Sequence, residues 1–312
     1  MNRIRYDNPD ILKKDYLNIL NSHELQEKWA KVRSEIIEQG GYAIVYPEEL
    51  SDILVGDFEL LSKIFFDYKR IKCDLTTTLR KNVSNIFNYS GSKRLKIVEF
   101  FKHHAHQLGI STCCYCDMSY INVYSSSAGK KQSHFDLDHF LPRSKCPITA
   151  LSLFNFIPCC PVCNQRLKKD YFWAVSEADA IMLSPSSSSY DYDGKVRFLL
   201  LPLKTYRIIN CQDNPEYFQL ILSTSSPIYN KLNAKLCLEE RYDFHKCEAL
   251  RLLDLMRDYP PAHIKMIKNV LGSNGISFSE KKITEDIFGS TFKQKHKRTF
   301  GKLTSDIMKL YK

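Results

Sequence analysis

Residues 113–170 read CCYCDMSYINVYSSSAGKKQSHFDLDHFLPRSKCPITALSLFNFIPCCPVCNQRLKKD. Two C-x-x-C pairs bracket this stretch, Cys113/Cys116 at the front and Cys160/Cys163 at the back. Each pair presents two thiolates from one tight turn. Two such turns brought together give the tetrahedral sulfur cage that Zn²⁺ favours. Between the pairs stand Asp136, Asp138, His139 and Asn155, and Asn164 follows the last cysteine directly. One C-x-x-C is a weak signal. Two of them around D-H-x-x-P and N-x4-C-x-x-C-N form a strong one. A redox reading fits less well, because thioredoxin-like chemistry uses a single pair opening a helix in a βαβ unit.

The rest of the composition narrows the class. The chain has 312 residues, 44% hydrophobic and 26% charged. That is enough to bury a core and excludes wholesale disorder. The N-terminus carries no apolar signal core, and the aliphatic run 198–203 (FLLLPL) is too short for a bilayer span. A cytoplasmic protein with no membrane association is the expectation. In that compartment eleven cysteines read as metal ligands and buried small hydrophobes rather than disulfides. Four are assigned to zinc. Cys73, Cys114, Cys146, Cys159, Cys211, Cys237 and Cys247 are expected in the core. The formal charge is +10, and residues 293–312 hold seven Lys/Arg against one Asp. This favours a polyanionic partner, although a solvated helical face explains the tail equally well.

Along the chain, Asn8-Pro9 predicts a helix start. Ser22 caps a second helix that Gly40-Gly41 stops, and Pro47 opens a third. Leu61, Ile64, Phe65 and Tyr68 continue the helical period. Residues 1–108 form a helical N-terminal region. His103, His104 and His106 lack a carboxylate to complete a metal set and read as a surface cluster. Residues 109–180 form the cysteine-bracketed core. Alternation over Met118–Tyr124 predicts a strand, with a second over Phe135–Phe140 ended by Pro142 and a helix from Asn164. Residues 181–312 are mixed and mainly helical, with a basic tail. Strands are expected over 195–203 and 217–222, a helix over 232–256 broken near Tyr242–His245, and another over 262–271. The fold class is α+β, mainly helical, with a central ββα-metal core between helical flanks.

The order of these residues resembles the zinc-containing HNH endonucleases at each motif position. The wider layout, including SPIYNKLNAKLCLEERY at 226–242, resembles the HNH subunit of Septu-type anti-phage systems, the PtuB family, which also serves some retrons as effector. The resemblance implies bacterial antiviral defence and an ABC/SMC-like ATPase partner of the PtuA type. It also admits a retron reverse transcriptase with its RNA/DNA product as a partner. The chain has no G-x-x-x-x-G-K-[ST] loop of its own for ATP.

Hydrolysis of a phosphodiester needs a base for the attacking water, a cation for the developing charge and stabilisation of the leaving oxygen. His139 is the expected base, since an imidazole near neutrality accepts that proton. The resemblance implies a metal-binding role for Asp138, the residue before the base, and an orienting role for Asn155. Asn164 offers a carboxamide oxygen to complete a Mg²⁺ or Mn²⁺ site with Asp138. Asp136, on the same strand face as Asp138, is a candidate supporting carboxylate. Arg143, Lys145, Arg166, Lys168 and Lys169 are candidate phosphate contacts. DNA is the first expectation for substrate, with RNA such as tRNA as the alternative. A competing reading is a catalytically inactive HNH-derived zinc module that binds nucleic acid or a protein.

Overall fold

The computed structural model describes residues 2–20, 22–203, 210–275, 277–289 and 298–310. Of the basic run at 293–298, only Arg298 lies within the described residues. The chain is α+β and mainly helical, and it folds as two compact units. The first comprises Met1–Tyr115 with Ser119–Tyr192, and the second Cys116–Met118 with Asp193–Lys312. The helical region 1–108 and most of the stretch 109–180 therefore share one unit.

Six helices lead the first unit: α1 (Pro9–Leu20), α2 (His23–Glu38), α3 (Leu50–Leu54), α4 (Phe58–Ile71), α5 (Thr77–Ile86) and α6 (Gly91–His103). Their starts follow ordinary capping chemistry. The Ser22 hydroxyl accepts from the Leu25 N–H, and the Asp57 carboxylate from that of Leu60. Beyond α2, Gly40 takes φ +100°, a conformation that a side chain would strain. The apolar faces of these helices bury Leu12, Tyr16, Trp29, Leu61, Ile64, Phe65 and Leu79.

Four short strands follow: β1 (Val123–Ser125), β2 (Lys131–Ser133), β3 (Asp136–His139) and β4 (Phe156–Cys159). β1 pairs with β2, and β3 pairs antiparallel with β4, Asp138 opposite Ile157 and His139 opposite Phe156. The expected pairing of the 118–124 strand with the 135–140 strand is therefore corrected. The small hairpin β1–β2 closes over the 126–130 loop, and the partner of β3 is the fully buried run FIPC. A π-helical segment, Val162–Lys168, follows β4, so ββα order is β3, β4, then this segment.

The long connection 140–155 between β3 and β4 is held by the helical region. Phe140 meets Phe58 at 5.5 Å in a T-shaped contact. The Tyr16 hydroxyl donates to the Leu151 carbonyl at 2.8 Å, and Lys72 Nζ to that of Ser144 at 3.0 Å. Burial of these aromatic rings contributes about 2–3 kcal/mol each. The helices thus fix the loop that leaves His139. α7 (Glu177–Leu183) closes the unit, started by a reciprocal Ser176/Asp179 cap.

α8 (Tyr192–Lys195) begins at the last residue of the first unit. In the second unit it is followed by β5 (Val196–Pro202), β6 (Phe218–Thr224), α9 (Ile228–Lys235), α10 (Leu238–Phe244), α11 (Cys247–Asp258), α12 (Pro261–Ser273), α13 (Glu280–Phe288) and α14 (Gly301–Met308). The helix expected over 232–256 is thus three. Carboxylates on these helices satisfy backbone N–H groups of the two-stranded ribbon: Asp306 takes that of Phe198, Asp243 that of Leu220 and Glu239 that of Leu222. The segment 116–118 is seated among them. Tyr242 donates to the Cys116 carbonyl at 2.7 Å, and the Lys302 N–H to the buried Asp117 carboxylate at 3.1 Å. No helix among the described residues is long and apolar enough to cross a membrane.

Candidate metal centre and candidate active site

The four motif cysteines converge. The sulfurs of Cys113, Cys116, Cys160 and Cys163 lie within 4.8 Å of one another and all four residues are buried. A tetrahedron with Zn–S bonds of about 2.3 Å has edges of about 3.8 Å, so the cage fits such an ion. The backbone already serves the thiolates: the Cys160 N–H donates to Cys113 Sγ at 3.3 Å, and the Cys163 N–H to Cys160 Sγ at 3.5 Å. Such N–H donors spread the negative charge that a buried four-thiolate set accumulates. This is the one group of three or more His, Cys, Asp or Glu among the described residues that could hold a metal ion in this way. Of the other seven cysteines, Cys114, Cys146 and Cys159 are buried as expected. Cys73, Cys237 and Cys247 are exposed and Cys211 half-buried, since they sit on outward helix faces or in turns.

His139 ends β3 beside a cavity of about 790 Å³. Its Nε2 lies 2.9 Å from the Ala150 carbonyl. A carbonyl can only accept, so Nε2 carries the proton and Nδ1 is the basic nitrogen. The ring is packed edge-on by Tyr89 at 4.8 Å and tilted against Phe156 at 4.8 Å. Burial pushes its pKa down to about 4, against the pull of the Ala150 carbonyl and with Arg143 and Lys168 adding to the fall. His139 is therefore neutral at physiological pH, the form a general base requires.

Asn155 is fully buried. Its Oδ1 accepts from the Leu141 N–H at 2.7 Å, while Nδ2 donates to the carbonyls of Leu141 (3.1 Å) and Thr149 (2.9 Å). One carboxamide thus ties both ends of the 140–151 connection. It fixes the residue next to Ala150, whose carbonyl holds the His139 ring.

The two aspartates of β3 have different surroundings. Asp138 is 6% exposed. Tyr115 donates to its Oδ2 at 2.6 Å and Lys168 Nζ to its Oδ1 at 2.9 Å. The Lys168 amino group also donates to the His139 carbonyl at 3.2 Å and stands over the Trp173 ring at 5.6 Å. Burial raises the Asp138 pKa, with Lys168 and Tyr115 opposing the rise. Both oxygens are engaged, Oδ1 by the Lys168 ammonium and Oδ2 by the Tyr115 hydroxyl. Asp136 instead meets Asn164: its Oδ2 accepts from Asn164 Nδ2 at 3.1 Å and Gln165 Nε2 at 2.9 Å. Asp136 and Asn164 line the cavity with His139. The chain therefore joins Asn164 to Asp136, where the sequence led us to expect Asp138.

Lys168, read from sequence as a phosphate contact, is 1% exposed and committed to the buried pair. Arg143, Lys145, Arg166 and Lys169 are exposed, and Arg143 and Lys169 line the cavity. His103, His104 and His106 do not converge: His103 bonds the Glu99 carbonyl within α6, and His104 pairs with Gln107 and faces Asp15 at 3.7 Å. Sequence reasoning missed Tyr115, Gln165, Tyr89 and Arg94. The first two adjoin motif residues and were open to notice. The last two come from the helical region and carry no motif signal. Comparison with family models, with curated proteins and with solved structures returns no match.

Proposed function

We propose that this chain is a metal-dependent HNH-type endonuclease that hydrolyses nucleic-acid phosphodiester bonds, with a structural Zn²⁺ in the four-cysteine cage. The observation that carries the reading is the meeting of a neutral, carbonyl-anchored His139 with Asp136 and Asn164 in one cavity on the cysteine-stapled β3–β4 pair. A carboxylate and a carboxamide are hard oxygen donors of the kind that hold Mg²⁺ or Mn²⁺. Such an ion would neutralise charge on the phosphate. In this arrangement Asp136 and Asn164 would hold it, while Asp138 holds Lys168. His139 Nδ1 takes the proton of the attacking water, and Nε2 keeps its own proton on the Ala150 carbonyl. Asn155 keeps that carbonyl in place.

The biological part of the proposal rests on the Septu resemblance. The chain acts in the bacterial cytoplasm as an antiviral effector beside an ABC/SMC-like ATPase of the PtuA type, and in retron settings beside a reverse transcriptase with its RNA/DNA product. DNA is the first substrate proposed, and tRNA the second. One observation favours the competing reading of an inactive zinc module: the motif carboxylate Asp138 is locked in a buried ion pair. The deciding experiment incubates purified protein with Mg²⁺ or Mn²⁺ and duplex DNA, single-stranded DNA or tRNA, alone and with the neighbouring ATPase. Metal-dependent cleavage of any of them supports the nuclease. Tight binding without cleavage under every condition supports the inactive module.

A further inference from the structure

The link between α5 and α6 brings Tyr89 to the cavity, where it meets His139 and Arg143. The Tyr89 ring lies edge-on against His139. Its backbone carbonyl accepts from Arg143 NH1 at 3.2 Å, and the Arg143 guanidinium stands 5.8 Å from its ring. Burial raises the Tyr89 pKa, and the charge of the exposed Arg94, one turn into α6, opposes that rise. Tyr89, Arg94, Arg143 and His139 all line the same cavity. Among the described residues neither arginine is in an ion pair with a carboxylate, although other lysines and arginines form fourteen. Two guanidinium groups outside any ion pair thus line the cavity of a neutral imidazole, together with the carboxylates of Asp136, Asp138 and Asp170. A guanidinium presents its donors as a planar fork that matches two phosphate oxygens.

We propose that Arg94 and Arg143, which line one cavity with Tyr89 and His139, form a phosphodiester-binding subsite of the nuclease cavity. The inference deepens the nuclease reading and rests on it for the cleavage chemistry. It differs from the motif-based expectation in placing a substrate contact on α6, outside residues 109–180. The Tyr89 carbonyl holds the Arg143 fork and its ring packs against the imidazole, so the base and one phosphate contact share one support.

The test uses the full chain carrying His139→Ala, which permits binding measurements without turnover. Affinity for a fluorescein-labelled DNA duplex and for a labelled tRNA is read by anisotropy over a range of KCl concentrations in Mg²⁺. Arg94→Gln, and separately Arg143→Gln, should weaken binding and lower the slope of log Kd against log salt by about one each. Arg94→Lys should keep the slope. The two labelled polymers distinguish a DNA from an RNA source of the phosphodiester. An unchanged slope and affinity in both glutamine variants overturns the subsite. Hydrolysis of bis(p-nitrophenyl) phosphate by the chain with His139 intact tests the nuclease reading apart from it. If that hydrolysis occurs while the slopes do not move, the subsite fails and the nuclease stands. If the slopes fall but neither this ester nor nucleic acid is cleaved, the subsite stands as a binding site and the nuclease reading fails.

Discussion

Replacing Lys168 with Met removes one partner of a buried ion pair and keeps most of the aliphatic stem. The pair is 2.9 Å apart, with Lys168 1% and Asp138 6% exposed. At that separation and an effective dielectric constant of about 20, the attraction is about 6 kcal/mol. Desolvation of two ions offsets most of it, so the intact pair contributes little net stability. The single substitution leaves Asp138 buried with only the Tyr115 hydroxyl, and a broken buried pair costs about 3–5 kcal/mol. The loss should depend on pH. Burial already holds the Asp138 pKa above its ordinary value, and Lys168 opposes that rise. Without Lys168 the folded-state pKa climbs further. A raised carboxyl pKa gives stability that is present below the unfolded value and lost as pH rises through the folded one. The deficit of Lys168→Met against the unsubstituted chain should therefore be small near pH 4 and grow toward neutrality. Urea unfolding followed by circular dichroism at several pH values measures it, with metal occupancy matched between the two proteins at each pH. A deficit below about 1 kcal/mol at pH 7, or one that does not change with pH, refutes the buried pair.

Three further outcomes follow from the same geometry. Asn155→Ala leaves the Leu141 N–H and two carbonyls without their partner, so unfolding should show a loss of about 2–4 kcal/mol. Activity should fall roughly 10–100-fold without vanishing, because Asn155 orients and does not react. His139 buried as a neutral ring, with its pKa depressed to about 4, stabilises the fold above the ordinary histidine value. About 3 kcal/mol of that is lost as pH falls from about 6.5 to 4. The stability–pH curve of His139→Gln should be flatter by that amount over this window. Elemental analysis should find one zinc per chain, and Cys113→Ser or a chelator should abolish cooperative unfolding. A zinc-free preparation that unfolds cooperatively contradicts the cage.

The cysteine cage was legible because each ligand pair lies within one turn, so local spacing states the chemistry directly. The helix starts at Ser22 and Asp57 were legible or open to reading for the same local reason. Strand pairing was not. Met118–Tyr124 alternates like a strand, but the run FIPC at 156–159 is buried on both faces and carries no alternation, so its pairing with Asp136–His139 had no pattern to show it. Lys168 looked like a surface cation since nothing in a linear sequence says that Asp138, thirty residues earlier, has taken its ammonium. Tyr89 and Arg94 reach the cavity through tertiary packing, α6 lying against β2 and its Phe101 against Phe156 of β4, which has no local signature. Asn155 lies between these cases: its motif position pointed to an orienting role, and the three hydrogen bonds it makes supply the physical means.

The most direct measurement is cleavage of duplex DNA and tRNA in Mn²⁺ or Mg²⁺ by the chain and by its His139→Ala variant, with zinc content and thermal midpoint recorded for both. The account predicts metal-dependent scission by the unsubstituted protein, alone or with the proposed ATPase added, and none by a folded, zinc-loaded His139→Ala. Undiminished scission by that variant would contradict the assignment of His139 as the base, and with it the site as described.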